Sequence, residues 1–338
     1  MLQADELRRK NDHFEGRSCD PSDALHPVVR FSGAVGGEVW TKGDDLTGFA
    51  LGGKKARKIE FLLADARAQG ETPSSPSAGD SRTTRETVAA AAGAAGMQCH
   101  LVLGGNRPPD PTGSNVLLNN LFGTHVHFGR TEDRDVLEKQ MQELASDLQA
   151  RGAKTYAMPV GGSTGVGGLG FVAAWLELAD QYRAKRIEPQ WIAHATSTGG
   201  TQGGLEAAGR MLGADASRAL GVSVAKITGE LSLEVGLLAA DVLTILGAQS
   251  DDAPSEILEG YMGPTYGEPH GGEPRGARAI VEGGGHPDRP SVLRQGLAQA
   301  GQASTRARAT DRVLAHRRDA GTVLRRTTTD AVGRDLIA

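Results

Sequence analysis

With 338 residues and a mass of 35.3 kDa, the chain is long enough for roughly two domains of about 150 residues each, which rules out one small module. Hydrophobic residues make up 38% and charged residues 23% of it, and no run of about 18 apolar residues exists to cross a bilayer. The 37 basic and 41 acidic side chains leave a net charge of −4, so no polycationic field is offered to nucleic acid.

Two cysteines, Cys19 and Cys99, supply neither a disulfide framework nor a thiolate metal cage. The opening MLQADELRRKND lacks the apolar core of a signal peptide, and the expected location is the reducing cytoplasm. The 47 glycines are about twice the usual share of roughly 7%. Arriving as pairs between apolar runs, they point to tight turns and close backbone approaches in an α/β protein.

In chain order, the stretch to about Val29 reads as a polar loop and Glu38–Thr41 as the first strand. KARKIEFLLADARAQG, Lys55 to Gly70, repeats apolar residues at Ile59, Leu62, Leu63 and Ala66 and predicts a helix closed by Gly70. The segment TPSSPSAGDSRT (72–83) stands where the pattern wants a strand, yet Pro73 and Pro76 argue against a central one. ETVAAAAGAAG then predicts a helix, MQCHLVLG a buried strand, NVLLNNLFG a helix, THVHFG a strand and DRDVLEKQMQELASDLQARG a long amphipathic helix. The alternation continues through TYAMPV, GGLGFVAAWLELADQY, QWIAHAT, TQGGLEAAGRMLG, GVSVAKI and LSLEVGLLAADVLTILG. It implies parallel strands with right-handed crossovers and ligands at the strand carboxyl ends. Past about Glu268 the sequence is rich in Gly, Pro and Arg, and periodicity fades.

The strongest chemical signal is TSTGGTQGGLEAAGRM. A strand that ends in a Ser/Thr/Gly turn and opens a helix presents bare backbone N–H groups at a positive dipole end, which suits a phosphate dianion. Ser197, Thr198 and Thr201 add hydroxyls, and Gly199 and Gly200 let the backbone approach. No GK[ST] follows, and the glycine spacing is not that of a dinucleotide fingerprint, so a monophosphate is the expected guest. The second signal is LGGKKARKIE, where Lys54 and Lys55 precede a helix. The charges of Arg57 and Lys58 and the helix N-terminus all disfavour an ammonium at Lys55, as a nucleophilic lysine requires, although a solvated basic helix start reads equally well from the residues alone.

Together these segments resemble the pyridoxal-phosphate enzymes of the tryptophan synthase β-like fold, and within them the 1-aminocyclopropane-1-carboxylate deaminase and D-cysteine desulfhydrase family. The resemblance runs through WTKGDDLTGFALGGKKARKIEFLLADARAQG, AAGMQCHLVL, GSNVLLNNLFG, MPVGGSTGVGGLGFVAAWLEL, ATSTGGTQGGLEAA and GYMGPTYGEP, covering roughly residues 20–270 apart from 72–83. It implies an α/β architecture of two open, twisted parallel-sheet domains (PLP fold type II). The small domain is expected over residues 57–162 and the large one over 1–56 and 163–338, with Gly161 and Gly162 as a hinge. It further implies pyridoxal 5'-phosphate as cofactor, Lys55 as the lysine of the internal aldimine and as proton carrier, and Ser197, Thr198, Gly199, Gly200 and Thr201 as the phosphate grip. The implied activity is a lyase or deaminase acting on a small amino acid, in a homodimer.

Three family segments are altered. The Ser-Asn-His triplet that precedes the alanine-rich helix in the family falls on Arg82, Thr83 and Thr84, leaving Thr83 and Thr84 as candidate hydroxyls for a substrate carboxylate. The tyrosine-bearing DPVYSGK segment falls near Ser304–Arg308, and the HTGG turn near His316–Asp319. Tyr261 or Tyr266 is the candidate to replace the missing phenol, with a packing role as the alternative. GC-rich codons for V-Y-S-G-K read one nucleotide late can spell S-T-R-A-R, and those for L-V-T-I-G and Q-S-N-H can likewise spell PSSPS and SRTT, so a shifted reading frame is the expected cause of the first two changes; the HTGG change would require a further slip. Racemisation, β-replacement or a non-catalytic homologue stay open beside the lyase reading, whereas an NAD-type oxidoreductase would need a ribose-binding acid that is not found. His100, His125 and His127 are expected as core or edge residues, with no metal site. Asp44 and Asp45 read as capping or lysine-pairing groups.

Overall fold

The computed structural model describes residues 25–29, 32–33, 38–44, 47–49, 53–69, 74–78, 82–107, 114–213, 217–249, 254–259 and 321–325. In chain order the strands are β1 (Leu25–Pro27), β2 (Glu38–Lys42), β3 (Ser74–Ala78), β4 (Gln98–Leu103), β5 (His125–Phe128), β6 (Pro189–Thr196), β7 (Arg218–Ser223), β8 (Ile257–Leu258) and β9 (Gly321–Arg325). The helices are α1 (Lys55–Ala68), α2 (Arg82–Ala94), α3 (Ser114–Leu121), α4 (Arg134–Ala150), α5 (Gly165–Lys185), α6 (Gly200–Leu212) and α7 (Thr228–Leu246). The chain divides into two compact units, one of Met1–Asp20 and Thr47–Gly170, the other of Pro21–Leu46 and Phe171–Ala338.

In the first unit β3, β4 and β5 form a parallel sheet in that order. The apolar period of α1 is what folds it: Ile59, Leu62, Leu63 and Ala66 are all fully buried and share a core with Val88, Ala91 and Ala92 of α2, Cys99, Leu101 and Leu103 of β4, and Met158. Each large aliphatic side chain buried there contributes about 1.5–3 kcal/mol. Successive strand residues face opposite ways, so Val102 packs on the other side of the sheet against Leu137 and Met141 of α4. Asp133 caps that helix by accepting from the backbone N–H groups of Asp135 and Val136. The proline-bearing segment does form a strand, with Pro76 in register with His100, but at the end of the three-strand order, where a missing N–H is tolerated.

The second unit carries a six-stranded sheet in the order β1-β2-β9-β6-β7-β8. Pairing is parallel through β6, β7 and β8 and antiparallel at β1–β2, β2–β9 and β9–β6. Two sequence expectations are corrected here and in the first unit, and one unassigned region gains a strand. The stretch read as a polar loop contains β1, which pairs with β2; so short a connection reverses the chain and makes the pair antiparallel. TYAMPV forms no strand: Met158 makes an isolated bridge and Val160–Gly162 closes a 3₁₀ turn. The poorly periodic C-terminal region supplies β9, which sits between β2 and β6. Among the described residues no helix is long and apolar enough to cross a membrane.

Candidate functional site

In the first unit, Gly53 (φ +115°) turns the chain into α1, Lys54 occupies the N-cap position and Lys55 is the first helical residue. A solvated basic helix start is not what forms. Lys54 and Lys55 are half-buried, while Arg57, Lys58 and Glu60 are buried outright. Lys58 is 1% exposed; its Nζ donates to the Gly161 carbonyl at 3.2 Å and approaches Ser163 Oγ at 3.4 Å. Burial, and then the charges of Lys55 and Lys54, hold the Lys58 amine well below the usual lysine range. Gly161 (φ +72°) and Gly162 (φ +59°) form the turn that Lys58 holds. A Cβ at Gly162 would meet Leu62 Cδ1 at 2.9 Å, and one at Gly170 would lie 2.0 Å from the Arg57 carbonyl oxygen. The segment 161–170 is therefore packed directly on the start of α1.

In the second unit, β6 runs buried to Thr196, and the turn Ser197-Thr198-Gly199 leads into α6. Gly199, at φ +73°, is the N-cap, and Gly200 N–H donates to the Thr198 carbonyl at 2.9 Å. The first-turn N–H groups of α6, those of Thr201 and Gln202 among them, have no carbonyl one turn back to bond. Ser197 and Thr198 are half-buried and Thr201 is buried. A Cβ at Gly203 would meet Leu238 Cβ at 2.8 Å and the Ala239 nitrogen at 3.1 Å, so glycine lets α7 close on α6. Gln202 is fully buried and its Nε2 donates to Glu206 Oε1 and to the Glu256 carbonyl, each at 2.9 Å. Thr196 Oγ1 is buried and, among the described residues, has no hydrogen-bond partner, at the strand end just before the turn. An orphaned hydroxyl beside a helix N-terminus with free amides is a donor set that fits a phosphate dianion.

The structure thus places Lys55 in one unit and Ser197, Thr198, Gly199, Gly200 and Thr201 together in the other. Thr83 and Thr84 fall in the first turn of α2, but their side chains lie outside the described residues, as do Asp45, Tyr261, Tyr266 and the segments near Ser304 and His316. Sequence reasoning missed Thr196 and the burial of Lys58. The first could have been found as the last strand residue before the glycine turn, the second from its place between Ile59 and Leu62 on an apolar helix start. His100 is buried and stacks on His125 and His127 at 4.7 and 5.5 Å between ring centroids. Burial, reinforced by the two neighbouring rings, pushes His100 down to about 4. Among the described residues no group of three or more His, Cys, Asp or Glu side chains is arranged to hold a metal ion. Burial pushes the Cys99 thiol up to about 12, leaving it an inert core group.

The profile of the pyridoxal-phosphate dependent enzymes matches residues 23–244, a span that includes both Lys55 and the turn. The D-cysteine desulfhydrase of Yersinia pestis (strain Pestoides F) is 34% identical over 251 residues, 73% of this chain and 74% of that protein. The D-cysteine desulfhydrase of Salmonella paratyphi C (strain RKS4594) is 34% identical over 254 residues, with 73% and 75% covered. Among solved structures, an ACC deaminase homologue superposes with a TM-score of 0.80 at 24% identity, covering 94% of this chain and 95% of its own. The processed threonine deaminase isoform 2 of Solanum lycopersicum gives 0.63 at 13% identity, covering 92% and 88%. The fold is accordingly the tryptophan synthase β-like one, PLP fold type II, and the chain belongs to the pyridoxal-phosphate dependent enzymes.

Proposed function

We propose that this enzyme is a lyase or deaminase of small amino acids, in the manner of the D-cysteine desulfhydrases it is similar to, with Lys55 as the residue that anchors pyridoxal phosphate covalently. The observation that carries the reading is the family match across residues 23–244, joined to a turn whose amides and hydroxyls suit a phosphate. In this reading Ser197, Thr198, Gly199, Gly200 and Thr201 hold the phosphate through backbone N–H groups and hydroxyls. Thr196 adds its hydroxyl from below the turn. When bound, pyridoxal phosphate supplies an electron sink for the pair left behind as a proton leaves the substrate. Lys55 Nζ receives and returns that proton at Cα. Lys58 fixes the start of α1 against the Gly161–Ser163 turn and so holds the backbone that carries Lys55. Thr83, Thr84 and Tyr266 are the proposed substrate-side groups, the small domain is taken as residues 57–162, and the working form is a cytoplasmic homodimer.

The replacement of a Ser-Asn-His triplet by Arg82-Thr83-Thr84 favours a second reading, in which the same cofactor site runs racemisation or β-replacement. Mixing the purified chain with pyridoxal phosphate tests the cofactor assignment. A visible absorption band that borohydride bleaches is expected, with the reduced cofactor mass on the Lys55 peptide and no band in Lys55→Ala. Identical spectra for the two proteins would end the Lys55 assignment. Incubating the loaded enzyme with D-cysteine, D-serine and 1-aminocyclopropane-1-carboxylate, and assaying 2-oxo acid, tests the reaction. No product from any of the three would move the reading to the second class.

A further inference from the structure

The turns that follow β4 and β5 are tied to one another through the backbone. Gly129 N–H donates to the Leu103 carbonyl at 2.8 Å, Gly105 N–H to the Thr131 carbonyl at 2.9 Å, and Arg130 N–H to the Gly105 carbonyl at 3.0 Å. The tie gathers Asn106, Arg107, Phe128 and Arg130 around a cavity of about 550 Å³. It lies at the carboxyl ends of two adjacent parallel strands, which is where α/β sheets take ligands.

Arg130 holds φ at +59°, a region that costs a non-glycine residue and recurs where backbone strain serves a site. Arg186, at φ +54°, is ordinary by contrast. It closes α5, with its own N–H on the Arg183 carbonyl and that of Ile187 on the Tyr182 carbonyl, a left-handed helix end. Arg130 ends no helix, since β5 stops at Phe128 and α4 opens at Arg134. Arg107 and Arg130 are both exposed, and among the described residues neither guanidinium has a carboxylate at ion-pair distance. The Glu132 carboxylate lies over Gly104 and Gly105 on the same pair of turns, leaving the cluster one net positive charge.

We propose that this cavity is a binding site for a phosphate monoester with an apolar or aromatic body. Two planar guanidiniums match the oxygens of a dianion, the Asn106 amide adds a donor, and Phe128 gives the body an apolar wall. None of the residues assigned to the cofactor takes part. Arg130 lines the cavity from a backbone held at φ +59°.

Calorimetric titration of the full chain with phenyl phosphate, inorganic phosphate and benzoate tests this, both with the cofactor site filled by pyridoxal phosphate and without it, so that the result does not hang on Lys55. Saturable binding in the order phenyl phosphate, inorganic phosphate, benzoate is expected, weakening as salt rises. Arg107→Gln and Arg130→Gly should each weaken phenyl phosphate about tenfold. Phe128→Ala should bring it down to the affinity of inorganic phosphate. Arg130→Gly should also raise the melting temperature, because glycine accepts the left-handed backbone that arginine resists. Absence of saturable binding, unchanged affinity in Arg107→Gln and Arg130→Gly, or benzoate binding tighter than phenyl phosphate would each overturn the assignment. A lower melting temperature for Arg130→Gly would overturn the claim that the backbone there is strained.

Discussion

Replacing Gly203 by alanine tests whether the close approach of α6 and α7 is what sets the phosphate turn in place. The new Cβ would lie 2.8 Å from Leu238 Cβ, 3.1 Å from the Ala239 nitrogen and 3.3 Å from the Leu238 carbonyl carbon. Two of these three atoms are helix backbone, so the strain cannot be relieved by turning a side chain, and α6 must move as a body. Overpacking of this kind costs about 1–3 kcal/mol, offset by about 1 kcal/mol of helix propensity gained on leaving glycine, for a net loss of up to about 2 kcal/mol. Gly236 in α7 is the matched control: among the described residues a Cβ there meets nothing within 4 Å, and Gly236→Ala should stabilise by up to about 1 kcal/mol. The assay is urea unfolding of both variants without cofactor, followed by titration with pyridoxal phosphate. Gly203→Ala should lose both stability and cofactor affinity, because Gly199 and the first-turn amides ride on the displaced helix. If Gly203→Ala unfolds with wild-type midpoint and binds the cofactor unchanged, the helix contact does not position the turn.

Thr196→Val removes a buried hydroxyl that has no partner among the described residues; without cofactor the fold should be unharmed or gain about 1 kcal/mol, while pyridoxal phosphate affinity should fall about tenfold. Loss of stability without cofactor, or unchanged affinity, would refute the role given to Oγ1. Lys58 is held below its unfolded-state range by burial and by Lys55 and Lys54, so the folded protein binds fewer protons there than the unfolded chain. The penalty is therefore complete below the folded value, and stability should rise with pH from that value up to the ordinary lysine range. Unfolding midpoints measured against pH should show this rise in the wild type and a flatter profile in Lys58→Met; equal slopes would assign the rise to other groups. Sequencing the coding DNA should show that the neighbouring frame spells strand-forming residues and a Ser-Asn-His triplet across 73–84 and a tyrosine near Ser304; a neighbouring frame without them would make the altered segments genuine replacements.

The parts of this fold that could be read in advance are those fixed within one turn of helix or one strand. Ile59, Leu62, Leu63 and Ala66 announce α1 by their spacing, and the Ser/Thr/Gly run after QWIAHAT announces the strand-turn-helix that holds Gly199 at positive φ. What could not be read depends on partners far away in the chain. β9 is recognisable only by its place between β2 and β6, and Lys58 looks like one more solvated lysine until Gly161, 103 residues on, accepts its hydrogen bond. TYAMPV has strand-like residues but finds no neighbouring ladder. β3 is the opposite case: Ser-Ser-Pro-Ser-Ala is about as poor a strand as composition allows, yet it pairs in parallel with β4 over five residues. The partner strand, buried on both faces, leaves an edge that any extended segment of that length can complete. Backbone pairing with β4 thus fixes where β3 lies, against what its composition predicts. The α2 helix that follows is held instead by Val88, Ala91 and Ala92, which share the core of α1 and β4.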